Sequence, residues 1–107
     1  MAYLGDANND NVVNSIDAAA IYQALSSAGV SALSVNPPSP GFFTYFPNVD
    51  GAKQPDANND NYITEDDALE VLRYAAAVGV NGTYTGSAGQ LVEVNRVYWP
   101  GYPGGLS

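Results

Sequence analysis

The chain has no cysteine, no histidine, and only three basic residues, Lys53, Arg73 and Arg96, among its 107. Without cysteine there is no disulfide and no thiol chemistry. Without histidine the commonest general base and nitrogen metal ligand is missing. Three scattered bases cannot neutralise a phosphate backbone, which excludes nucleic acid as a partner. No apolar run is long enough for a membrane span, and Met1-Ala2-Tyr3-Leu4 does not read as a signal peptide. With neither histidine nor cysteine, and with its acids gathered elsewhere, the chain offers no nucleophile–base pair, so it is not expected to be an enzyme.

What is present is acid, and it is local. The formal net charge is −8, and eight of the eleven acids (Asp6, Asp10, Asp17, Asp56, Asp60, Glu65, Asp66, Asp67) fall in two short stretches. The first, Asp6 to Asp17, reads Asp-Ala-Asn-Asn-Asp-Asn-Val-Val-Asn-Ser-Ile-Asp. Fifty residues on, Asp56 to Asp67 reads Asp-Ala-Asn-Asn-Asp-Asn-Tyr-Ile-Thr-Glu-Asp-Asp. Each stretch is twelve residues long with side-chain oxygens at positions 1, 3, 5, 9 and 12. These are Asp6, Asn8, Asp10, Asn14 and Asp17, then Asp56, Asn58, Asp60, Thr64 and Asp67. Position 7, Val12 or Tyr62, can offer only its backbone carbonyl.

This is the oxygen spacing of an EF-hand-type calcium loop. A hard cation of that size takes six to eight oxygens at about 2.3–2.6 Å. A chain curling around it presents alternate residues, and the twelfth closes the shell from the first turn of a helix. No thiolate, imidazole or charged nitrogen intrudes, which argues against zinc, copper or iron, and magnesium asks for a tighter octahedron. Two Ca²⁺ are therefore the expected cofactors. Asn/Asp clusters also make plain surface turns, but two in one register with the same six-residue opening favour calcium. Position 6, usually glycine, is Asn11 and Asn61, the next most tolerant type for a positive φ. Position 12 is Asp rather than Glu, one methylene shorter, so the helix start must come closer to the ion.

The local signals place a helix behind each loop. Asn14 with Asp17, and Thr64 with Asp67, suit an N-cap and an acid at the positive helix end. The first helix is expected over Ser15–Ala28, burying Ala18, Ile21, Leu25 and Ala28 and stopping at Gly29. The second is expected over 65–78, burying Leu69, Leu72 and Ala76 and stopping at Gly79. Val13 and Ile63, both at position 8, are expected to join the loops by a short β bridge.

Asp-x-Asn-x-Asp with Asp at position 12, then Ala and an apolar helix, all in duplicate, resembles the repeat of dockerins. Asp67-Ala68-Leu69-Glu70-Val71-Leu72-Arg73-Tyr74 is close to that family's second-repeat helix, and Asp17-Ala18-Ala19-Ala20-Ile21-Tyr22-Gln23-Ala24-Leu25 is a looser match. The resemblance covers residues 5–28 and 55–78. It implies an extracellular or cell-surface calcium module that docks to a cohesin-like protein. It also implies partner contacts at loop positions 10 and 11 and about two turns along each helix. On this chain those are Ser15, Ile16, Tyr22 and Gln23, and Glu65, Asp66, Leu72 and Arg73.

The whole reads as one domain, residues 1–107, mainly α with short β: repeat 1 (5–28), an insertion (29–54), repeat 2 (55–78) and a C-terminal strand extension (79–107). Dockerin repeats usually have a shorter helical linker. Here Pro37, Pro38 and Pro40 forbid a helix, and the run Phe42-Phe43-Thr44-Tyr45-Phe46 is expected to be extended, either covering the helices or meeting a partner. Asn81-Gly82-Thr83 reads as a turn and is an acceptor sequon for a glycan at Asn81. Residues 91–99 alternate as a strand that should pair with 42–46 or with another molecule, and Pro100 to Gly105 ends regular structure. The unmatched strand and the aromatic run support an alternative reading, a subunit that assembles with copies of itself by strand addition.

Overall fold

Two helices standing on two Asn/Asp loops form the frame, and the segment between the loops and the stretch 80–92 fold back onto it. The computed structural model describes residues 2–92. In chain order the elements are β1 (Ala2–Tyr3), α1 (Ser15–Ala28), β2 (Leu33–Ser34), α2 (Phe42–Tyr45), β3 (Tyr62–Ile63), α3 (Glu65–Gly79) and β4 (Leu91–Val92). Both long helices begin in a capping box. Asn14 accepts from the Ile16 amide and Thr64 from the Asp66 amide, while Asp17 and Asp67 reach back to the N-cap amides.

The packing of α1 against α3 is as the apolar spacing predicts for α1 and not for α3. On α1, Ala18, Ile21, Ala24 and Leu25 are buried and Ala28 is half-buried. On α3 the buried residues are Ala68 and Val71, with Tyr74 and Ala75 half-buried, whereas Leu69, Leu72 and Ala76 are exposed. The cause is Asp67. As the loop's last residue it is fully buried toward the loop, and it rotates the helix so that the residues one and four positions on face inward. The helix also runs one residue past the expected end. Gly79 is its last residue, and Val80 is the cap.

That difference makes a matched pair of glycine substitutions informative. Gly29 caps α1 at φ 71° with nothing within 4 Å of the place a Cβ would take, so only the backbone opposes a side chain there. Gly79 is helical, and it too has open space around its Cβ position. Gly29→Ala should cost about 1 kcal/mol. Gly79→Ala should stabilise by about 0.5 kcal/mol. Urea denaturation of the two variants checks both signs.

Three expectations about pairing are corrected. Val13 and Ile63 do not bridge. Leu33 and Ser34 of the insertion pair antiparallel with Ile63 and Tyr62 instead, taking the strand position beside the second loop. The aromatic run is not extended. Phe42–Tyr45 is a short helix after Gly41, and Phe42 and Phe46 are 1% and 2% exposed in the core with Val49. One helical turn brings Phe42 and Phe46, four positions apart, together with ring centroids at 5.1 Å, whereas a strand would hold them about 13 Å apart. Leu91–Val92 is a strand, but its partner within the chain is Ala2–Tyr3 rather than 42–46. The rest of the expected strand (93–99) and the stop at Pro100 to Gly105 lie outside the described residues.

The segment between α3 and β4 packs as a strap on α3. Tyr84 donates to Glu70 and accepts from the Ala88 amide, and its ring meets Tyr74 edge-on at 5.3 Å. Burial first, and then the bond to Glu70, push the Tyr84 hydroxyl up to about 12. A side chain at Gly89, at φ +85°, would strike the Tyr74 ring at 2.5 Å, so the strap can lie this close only as glycine.

Candidate metal centres

Each loop turns through left-handed backbone at two asparagines. Asn11 and Asn61, at position 6, have φ of 67° and 70°, and Asn9 and Asn59, at position 4, have φ of 56° and 61°. The tolerance expected at position 6 is therefore used, and position 4 uses it as well, which the loop spacing alone does not predict. A signal for it exists, since Asn-Asn recurs at positions 3 and 4 of both loops.

The turns draw three carboxylates together in each loop. Asp6, Asp10 and Asp17 each bring an oxygen within 4.8 Å of the others, and so do Asp56, Asp60 and Asp67. In each trio the outer two, positions 1 and 12, are fully buried and the position 5 acid is exposed. The backbone holds them in place. Asp6 accepts from the Asp10 amide at 3.1 Å and the Asn11 amide at 2.9 Å. Asp17 accepts from the Asn8 amide at 3.2 Å and the Asn14 amide at 2.8 Å. The second loop repeats all four bonds through Asp56 and Asp67.

Burial is the main force raising the carboxyls of Asp6, Asp17 and Asp67. Asp17 is pushed up to about 6 and Asp67 up to about 8, with neighbouring carboxylates adding to burial and backbone amides opposing it. Asp6 is raised for the same first reason. Clustered buried carboxylates are costly unless a cation joins them.

The position 3 residues supply the independent sign of one. Among the described residues, the Oδ1 atoms of Asn8 and Asn58 are the buried side-chain polar atoms without a hydrogen-bond partner. Two orphaned acceptors at the same loop position, beside two carboxylate trios, fit an oxygen-coordinated cation. Position 9 is engaged differently. The Asn14 and Thr64 oxygens each accept a helix amide as caps, at 3.0 and 3.1 Å. Val12 and Tyr62 at position 7 are exposed, and their amides bond back to Asp10 and Asp60.

The expected partner contacts are all exposed, but they do not form one patch. Tyr22 lines a depression of about 480 Å³ with Leu25, Thr64, Glu65 and Asp66, so α1 and the start of α3 share one face. Gln23 opens on the other side of α1, beside Tyr45 and Phe46. Arg73 lies against the strap with Glu70, 3.6 Å away. Ile16 at 60% and Leu72 at 38% are exposed apolar side chains.

What joins the loops to the insertion is not evident from the sequence. Gln54 is fully buried, donates to Asn9 at 2.9 Å and accepts from the Asp50 amide at 2.7 Å. Its backbone carbonyl takes the Gly5 amide. Lys53 bonds Asp56 and Asn61 at 2.9 and 2.8 Å. A lone Lys-Gln pair ahead of a loop carries no signal in sequence, except that it stands where the first repeat has Tyr3 and Leu4.

In comparison with known families, the model of the dockerin type I domain matches residues 4–76. No curated protein and no solved structure matches the chain.

Proposed function

The chain belongs to the dockerin type I family, whose members are non-catalytic, calcium-binding modules that bind cohesins, and we propose that it docks to a cohesin-like partner outside the cell or at its surface with two Ca²⁺ bound. The first ion would be held by Asp6, Asn8, Asp10, Asp17 and the Val12 carbonyl, with Asn14 at position 9. The second would take Asp56, Asn58, Asp60, Asp67, the Tyr62 carbonyl and Thr64. The observation that carries this is the orphaned Asn oxygen beside a buried carboxylate trio, found twice. Calcium would supply charge that lets six acids converge, fixing the rotation of α1 and α3 and hence the side chains they present.

The docking face we favour centres on Tyr22 with Glu65 and Asp66, which line one depression across both helices, with the exposed Ser15, Ile16 and Leu72 as further candidate contacts. Gln23 and Arg73 face elsewhere and belong to its margin at most. Self-assembly by strand addition has less support, because the aromatic run is turned into the core through Phe42 and Phe46, and Leu91–Val92 already pairs within the chain. Among the described residues no helix is long and apolar enough to cross a membrane. The exposed Asn81, in a turn at φ 54°, suits the proposed glycan.

Calorimetric titration with a cohesin domain tests this reading. Binding should be present in calcium and absent in EDTA, and Tyr22→Ala should weaken it at least about tenfold without moving the melting temperature. A calcium-replete protein that ignores cohesins but elutes as a polymer dissolved by EDTA would replace docking with self-assembly.

A further inference from the structure

The two loops are copies in sequence but not in surroundings. Lys53 lays its ammonium 2.9 Å from Asp56 Oδ2 and 2.8 Å from Asn61 Oδ1, with its own side chain 23% exposed and the carboxylate fully buried. In the first repeat the equivalent residue, fifty positions earlier, is Tyr3, which is uncharged and exposed. Asp6 Oδ2 accepts from the Asn11 amide as Asp56 Oδ2 does from the Asn61 amide, and the ammonium of Lys53 is the addition in the second loop. A second difference acts on the other loop. Asn9 is tied to the insertion through the Asn48 carbonyl and Gln54, both at 2.9 Å. Its counterpart Asn59 is exposed and has no such tie among the described residues.

We infer that Lys53 sets the order in which the loops fill, holding the calcium affinity of the second loop below that of the first. This rests on the calcium reading above. Lys53 and the cation compete for one carboxylate. Its ammonium repels a dication bound to Asp56, and it also partly neutralises the loop when the dication leaves. Repulsion between a unit charge and a dication sharing one carboxylate is worth about tenfold in affinity even with water-like screening. The first loop has no such competitor among the described residues, and the Asn9 bonds hold its turn ready, which lowers the ordering cost of binding.

Isothermal titration of the full chain with calcium chloride separates the loops through Asp10→Ala and Asp60→Ala. Each removes an exposed ligand from one loop and leaves the buried carboxylates in place. Calcium should bind about tenfold more tightly in Asp60→Ala, where the first loop remains, than in Asp10→Ala. Adding Lys53→Met to Asp10→Ala should tighten binding about tenfold, and adding it to Asp60→Ala should change nothing. Lys53→Gln, which keeps a polar end for Asn61, should tighten the second loop as Lys53→Met does, whereas Lys53→Arg should leave it weak. If the first loop binds normally but neutral replacements leave the second loop unchanged or weaker, the role of Lys53 is overturned and the calcium reading stands. If no variant and no parent protein takes up calcium, the calcium reading itself fails.

Discussion

Chelating calcium with EDTA near pH 8 is expected to lower the melting temperature by about 20 °C or more. A ligand that binds only the folded state, at a hundred times its dissociation constant, contributes about 2.7 kcal/mol per site. Two sites give about 5 kcal/mol, and a domain of this size moves by about 4–8 °C per kcal/mol. The molecule has reason to depend on the ions. Asp6, Asp17, Asp56 and Asp67 are fully buried, and four of the core residues behind them, Ala18, Ile21, Ala68 and Val71, are positioned by the helices that Asp17 and Asp67 start. Asp6→Ala combined with Asp56→Ala should reproduce the loss in the presence of calcium. Coincident scanning-calorimetry traces with and without EDTA would dispose of the ligand assignment.

The same experiment carries a pH signature whose sign is fixed by burial. A carboxyl raised in the fold, as Asp17 is to about 6 and Asp67 to about 8, contributes stability below its unfolded value of 3.8. That contribution fades as pH rises through the folded value. Without calcium, stability should therefore decline from about pH 4 to about pH 8. With calcium the carboxylates must ionise to bind, so the contribution of the metal grows over the same window. The two melting curves should meet near pH 4 and part steadily toward pH 8.

The loops were legible because their oxygen side chains and asparagine turns stand at fixed positions in one continuous stretch. Helix α1 and both caps follow for the same reason, as local statements about Asn14, Asp17 and Gly29. What failed was non-local. The apolar stripe of α3 reads equally well as Leu69, Leu72 and Ala76 or as Ala68, Val71 and Ala75, and only the inward pull of Asp67 chooses. The repeat itself held the answer. A fifty-residue offset carries Ala18 and Ile21 onto Ala68 and Val71, and exposed Tyr22 onto exposed Leu72. Strand partners were less accessible still. A two-residue strand such as Leu33–Ser34 carries almost no pattern, and its place beside Tyr62–Ile63 depends on how the insertion closes.

Phe42→Ala is expected to be the most damaging single substitution outside the loops, and it decides what the insertion is for. Phe42 is 1% exposed, packs edge-on against Phe43 at 5.3 Å and tilted against Phe46 at 5.1 Å, and seats α2 against α1. Truncating a buried phenylalanine costs about 3–5 kcal/mol through lost burial and the cavity left behind. For a domain of this size the melting temperature should fall by more than about 12 °C. Calcium affinity and the affinity of the remaining folded protein for a cohesin should hardly change, because α2 lies beside α1 on the side of Gln23, away from the depression that Tyr22 shares with Glu65 and Asp66. An aromatic run that served as an adhesive surface would behave in the opposite way, keeping its melting temperature and losing its partner. The contrast follows from where the rings point. The segment between the two repeats, residues 29–54, has to be packed onto the frame. The chain accommodates it by turning Phe42 and Phe46 inward and by using Gln54 and Lys53 to fasten its end to both loops.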